Sequence, residues 1–165
     1  MLHFGSKAQV YFNYKANTLA DAGYELTAEN LTAIPTDAMA ASVTGGIEGV
    51  SYYGAALVCV SRTALRYYFT AVNGVEKLTF TVDGTPYYAV KKGDTYYVEI
   101  PNLAPQALDQ NVTLTVSDGT NTMAVTYSPL HYMVRMNNQN TTPAALKDLL
   151  TALYNYHLTA KNYTA

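Results

Sequence analysis

Apolar and polar positions change period twice along this chain, setting helical ends apart from a β-rich middle. The middle opens on a hairpin from Ser51 to Val72. Its first arm, Tyr52 to Val60, is apolar on both faces, which predicts a strand buried on two sides. Ser61-Arg62-Thr63 turns the chain. The second arm, Ala64 to Val72, alternates, with Leu65, Tyr67 and Phe69 facing inward and Arg66, Tyr68 and Thr70 outward. After the turn at Asn73-Gly74, residues 77–83 form a strand with Leu78, Phe80 and Val82 inward, closed by the tight turn Asp83-Gly84. Residues 86–92 follow as one strand, then a turn at Gly93-Asp94, then 95–100 with Tyr96, Val98 and Ile100 inward. Pro101 stops that strand, and Leu103 to Asp109 reads as a helical turn crossing between sheets. The last hairpin joins 111–118 to 121–127 around Asp118-Gly119, with Val112, Leu114, Val116, Met123, Val125 and Tyr127 inward.

The ends follow a helical period. Residues 2–14 predict a helix with Ala8, Tyr11 and Phe12 as its apolar stripe and Asn13 as its end. Asn17-Thr18 can cap a turn from Leu19 to Ala22 that Gly23 stops, and Thr27 can cap another through Leu31 before Pro35. Residues 36–49 show little periodicity and read as a loop. Ser128-Pro129 starts a helix with Leu130, Met133, Val134 and Asn137 on one face. Residues 137–141 are a polar loop, and Thr142-Pro143 repeats the cap. The helix from Pro143 to Asn162 carries Leu146, Leu149, Leu150, Leu153, His157 and Ala160 along one stripe. The fold class is therefore α+β, mainly β: an antiparallel sandwich of about seven strands with packed N- and C-terminal helices. Its 165 residues suit a single module, with 1–49 as lead-in, 50–127 as sandwich and 128–165 as a helical pair.

Composition narrows the function classes. A net charge of −2 with 13% charged residues gives no electrostatic case for nucleic acid or an anionic membrane. The polar surface is Thr, Asn and Ser, and there are 16 Tyr and no Trp, biases that suit half-exposed sheets of secreted bacterial modules. Cys59 has no partner for an intrachain disulfide and reads as an inert thiol. The first residues lack the basic and long apolar regions of a signal peptide, and no apolar run approaches a membrane span. The expectation is a module of a longer protein whose address lies elsewhere.

Catalytic chemistry finds little to stand on. Asp83, Asp94 and Asp118 each adjoin a Gly between strands, where a short carboxylate bonds its own turn. Glu99 has no acid or base partner identifiable by spacing. His131 and His157 lie on helices without a metal-ligand pattern, and neither a P-loop nor a GxGxxG motif occurs. No enzyme activity, metal or cofactor is expected. The tyrosine pairs 52–53, 67–68, 87–88 and 96–97 stand on strands, so each sends one ring inward and one outward. That phasing places Tyr68, Tyr87 and Tyr97 outward with Arg66 and Glu99. These side chains either pack under the terminal helices or form an exposed binding surface of the kind Tyr and Arg favour.

Several stretches carry a resemblance: Phe4-Gly5 with 8–14, then 17–23, 63–69, 96–110, 127–136 and 149–163, in that order over nearly the whole chain. The chain resembles helix-flanked β-sandwich modules repeated in large secreted and cell-surface proteins of Gram-positive gut anaerobes. It departs from them at Ser6-Lys7, where small apolar residues are usual. The resemblance implies an extracellular, non-catalytic module of an adhesin or scaffold. With the tyrosine surface, the expected ligand is a protein, and host immunoglobulin is a case by analogy to superantigen-type binders. Arg66, Tyr68, Tyr87, Tyr97 and Glu99 are the expected binding residues. The alternatives are a carbohydrate-binding module and a structural spacer.

Overall fold

In the computed structural model, which describes residues 1–13, 26–60 and 62–163, the alternating stretches form antiparallel strands in two sheets. They are β1 (Ser42–Gly45), β2 (Val50–Val58), β3 (Ala64–Ala71), β4 (Thr79–Val82), β5 (Thr85–Tyr87), β6 (Ala89–Lys92), β7 (Thr95–Ile100), β8 (Val112–Ser117) and β9 (Thr122–Tyr127). One sheet has the order β1-β9-β8-β4-β5 and the other β2-β3-β7-β6. The α+β sandwich expected from the pattern is the observed architecture. Two compact units divide the residues: Ala40–Ala104 with Leu108–Tyr132, which holds both sheets, and Met1–Met39 with Pro105–Ala107 and Met133–Ala165.

The sandwich core is built by the expected inward sets. Leu65, Tyr67, Phe69, Val98 and Ile100 from one sheet meet Phe80, Leu114, Val116, Met123, Val125 and Tyr127 from the other, each at most 4% exposed. At about 1.5–3 kcal/mol for burying a large apolar side chain, this set dominates the stabilisation of the unit. The Tyr67 hydroxyl donates to the Val112 carbonyl at 2.8 Å, a bond from one sheet to the other. Burial pushes that phenol's pKa well above its usual range.

Turn chemistry sets the registers. Asp83 (φ 49°) and Gly84 (φ 78°) both take positive φ, the two-residue turn whose twist matches its flanking strands. At the last hairpin, the Asp118 carboxylate accepts the Asn121 and Thr120 N–H groups at 2.7 and 2.8 Å. Those bonds, Asn121 first, hold its pKa below the usual carboxylate range.

Four expectations are corrected. A strand, β1, lies in the stretch read as a loop; all four of its residues are exposed, so no buried alternation marks it. Residues 86–92 are two strands, because the chain leaves the five-stranded sheet after Tyr87 and enters the four-stranded sheet at Ala89. The first hairpin arm, expected to be buried on both faces, is the edge strand β2, with Tyr53 71% exposed. Thr142 caps nothing: its hydroxyl is buried without a hydrogen-bond partner among the described residues.

The helical unit contains α1 (Leu2–Tyr11), most of α2 (Pro129–Asn138) and α3 (Ala144–Tyr163). α1 packs on α3, with the Phe4 and Tyr156 rings stacked at 6.1 Å. Its buried residues are His3 and Ser6, while Tyr11 and Phe12, two of the three residues of the expected stripe, are exposed. On α3 the expected stripe is buried at Leu149, Leu150, Leu153 and His157. His157 is satisfied by donating its Nδ1–H to the Pro105 carbonyl at 2.7 Å. Asn155 clamps the backbone of Thr32, accepting its N–H and donating to its carbonyl, each at 2.8 Å. The Thr27 turn is a short 3₁₀ segment, Ala28–Asn30. The turn expected at 17–23 and the residue Ser61 lie outside the described residues.

Ser128 begins α2 as expected: its Oγ accepts the His131 N–H at 3.3 Å and stands 2.6 Å from His131 Nδ1. Burial, outweighing an opposing influence of the Ala40 backbone, lowers the pKa of His131 below the ordinary 6.5. Its preference for the neutral form contributes stability that is fully present above that ordinary value and lost as pH falls through the lower, folded one. Thermal unfolding of the intact chain followed across the acid side of neutrality should show the midpoint falling below pH 6.5, with a shallower fall in His131→Gln. Identical slopes would remove His131 from the account.

Candidate functional site

Alternation along β3 and β7 dictates an outer face for the four-stranded sheet. With Leu65, Tyr67 and Phe69 buried on β3, and Val98 and Ile100 on β7, the intervening Arg66, Tyr68, Tyr97 and Glu99 point to the other side. The two strands are neighbours, and their register sets Arg66 opposite Glu99 and Tyr68 opposite Tyr97. Four of the five expected site residues are thereby brought together.

Glu99 is the hub. Its Oε1 accepts from Arg62 Nη2 at 2.6 Å and its Oε2 from Arg66 Nε at 2.7 Å. Those contacts, Arg62 first and then Arg66, hold the carboxyl below the usual Glu range. With both oxygens engaged, Glu99 is a fixed acceptor and a poor proton donor at neutral pH. Arg66 then lies over the Tyr97 ring, 4.6 Å from its centre, a cation–π contact. Tyr97 adjoins Tyr68 with ring centres 5.9 Å apart, and Tyr68 meets Tyr53 edge-on at 6.4 Å. A row of charge and then aromatic rings crosses the sheet.

Tyr53 reaches this row through a β-bulge. Tyr52 pairs with Phe69, but the next pair is Gly54 with Tyr68, so Tyr53 is the extra residue. Nothing lies within 4 Å of the point where a side chain on Gly54 would start, so the sheet face is open beside the bulge. Tyr53 and Tyr68, with Lys92 and Thr95, line a hollow of about 310 Å³. Lys92 pairs with no acidic side chain among the described residues. Arg62, Arg66 and Lys92 against Glu99 make this face positive on a chain of net charge −2.

Tyr87 is the correction. It lies on β5, in the other sheet, opposite Phe80, and packs half-buried against the core. Its neighbour Tyr88, at the change of sheets, is 83% exposed. Both possible inward sets in 86–90 hold apolar residues, Tyr87 with Ala89 or Tyr88 with Val90, so alternation alone leaves the phase open. Pairing with Phe80 and Val98 decides it. Arg62, Tyr53 and Lys92 join the site unforeseen. The Tyr52-Tyr53 pair was a signal for Tyr53; Arg62 was hidden in a turn.

Among the described residues, no group of three His, Cys, Asp or Glu side chains is placed to hold a metal ion. No described helix is long and apolar enough to cross a membrane. Burial pushes the Cys59 thiol up to about 12, far from a thiolate at neutral pH. The class the fold defines is an antiparallel β-sandwich with an aromatic, cationic outer sheet face. Comparison with known proteins finds no matching family model, no matching curated protein and no matching solved structure.

Proposed function

We propose that the chain is a non-catalytic protein-recognition module and that the outer face of the four-stranded sheet is its contact surface. The observation that carries this reading is the row Arg62–Glu99–Arg66–Tyr97–Tyr68–Tyr53, with Arg62 in the turn before β3 and the other five residues on the paired strands β2, β3 and β7. Tyr and Arg are residue types that concentrate binding energy at protein interfaces: Tyr buries a large ring at small entropic cost, and Arg brings a charged, planar group that stacks and donates in pairs. The rings are tilted, 48° between Tyr68 and Tyr97 and 83° between Tyr53 and Tyr68. A flat sugar platform needs coplanar rings, so the geometry favours a protein over a glycan. On the resemblance noted above, the parent is a secreted or cell-surface protein of a gut anaerobe, and host immunoglobulin is the first ligand to test. Intact immobilised protein is exposed to pooled serum immunoglobulin, to other serum proteins and to insoluble polysaccharide. Saturable retention of a serum protein supports the reading. Retention on polysaccharide alone gives the case to a carbohydrate-binding module, and retention of nothing to a spacer.

A further inference from the structure

A second hollow opens where the chain changes sheets. β5 ends at Tyr87 in one sheet and β6 begins at Ala89 in the other, leaving this corner of the sandwich without a continuous strand to close it. Leu78, Phe80, Pro86, Tyr87 and Tyr88 line a hollow there of about 440 Å³. That volume falls in the range of roughly 300–1,000 Å³ typical of small-molecule sites. Phe80 belongs to the core and Leu78 and Tyr87 pack on its edge, so the lining is fixed by the fold. Tyr88, 83% exposed, stands at the mouth.

Among the described residues, one charged side chain, Glu76, lines this hollow. It has no ion pair or hydrogen bond with the described residues. Its carboxylate folds over Gly74, occupying the space that a Cβ there would need. Gly74 has φ 76° and belongs to the turn after β3. A glycine at that turn therefore sets both the chain path and the seat of the carboxylate.

Aromatic rings present negative faces that attract cations, and a carboxylate accepts strong hydrogen bonds from ammonium groups. An anion would be repelled by Glu76, and a purely apolar ligand would leave it unused. We propose that this corner binds a small organic cation, a primary or quaternary ammonium on a short aromatic or alkyl body. The body packs on Leu78, Phe80 and Tyr87, and the charge lies between Glu76 and the Tyr88 ring. The site is separate from the proposed contact face and does not depend on it.

The test is a titration of the full isotope-labelled chain at neutral pH with phenethylammonium, followed by amide shifts, with phenylacetate and 2-phenylethanol in parallel. Shifts should localise to residues 76–81 and 87–89, and the cation should bind roughly fivefold more tightly than the anion. Glu76→Gln should abolish that preference, and Tyr88→Ala should weaken phenethylammonium binding. Both side chains are exposed, so the variants keep the fold. Absence of localised shifts, equal affinity for cation and anion, or a preference that survives Glu76→Gln overturns the proposal.

Discussion

Replacing Tyr67 with alanine should lower the unfolding free energy by about 3–5 kcal/mol, as expected for deleting a fully buried aromatic. Tyr67 is 0% exposed, in the middle of the inner face of β3, with its hydroxyl bonded across to β8. Alanine removes both the ring and the inter-sheet bond. Phenylalanine separates the two, keeping the ring and leaving the Val112 carbonyl without this donor, at a cost of about 1–2 kcal/mol. A chain of this size loses about 2–4 °C of melting temperature per kcal/mol. Calorimetry should therefore show Tyr67→Ala melting roughly 10 °C below the parent, and Tyr67→Phe a few degrees below. A phenylalanine variant as stable as the parent would show that the inter-sheet bond contributes nothing net, and an unchanged alanine variant would contradict the packing.

The second large effect is on binding. Tyr68→Ala and Tyr97→Ala should each weaken the complex with the retained serum protein by about 2 kcal/mol, near thirtyfold, as for central interface aromatics. The two rings touch each other, and Tyr97 also supports Arg66. Their effects will therefore not add, and the double variant should lose less than the product of the single losses. Thr115→Ala on β8, in the five-stranded sheet, is the matched control and should bind as the parent does. Circular dichroism guards against loss of fold. Undiminished binding by both tyrosine variants would discard this face.

Much of the sandwich was legible because its signals are local. Alternation on β3, β7, β8 and β9 named the buried residues, and Asp-Gly and Asn-Gly pairs marked their turns. What escaped depends on contacts distant in sequence. Glu99 finds Arg62 and Arg66 37 and 33 positions away, through a strand adjacency that no spacing reveals. β1 is short and exposed, so its pairing with β9 leaves no imprint on its composition. The phase of Tyr87 and Tyr88 is set by a change of sheet inside one apparently continuous strand. On α1, apolar periodicity pointed to Ala8, Tyr11 and Phe12, yet the buried positions are His3 and Ser6. Ser6, 1% exposed, is a small polar residue buried where apolar periodicity looks for a hydrophobic one. His3 accepts the Leu26 N–H at 3.1 Å, a backbone partner that periodicity cannot show.

Tyrosine modification of the free chain and of its serum-protein complex tests the central proposal most directly. Tyr53, Tyr88 and Tyr163 are 71%, 83% and 91% exposed and should all be nitrated readily in the free chain, giving one probe inside the proposed face and two outside it. Peptide mapping after brief nitration should find Tyr53 protected in the complex, with Tyr88 and Tyr163 modified as fast as before. Tyr53 reacting at the same rate in both states would contradict the outer face of the four-stranded sheet as the contact surface.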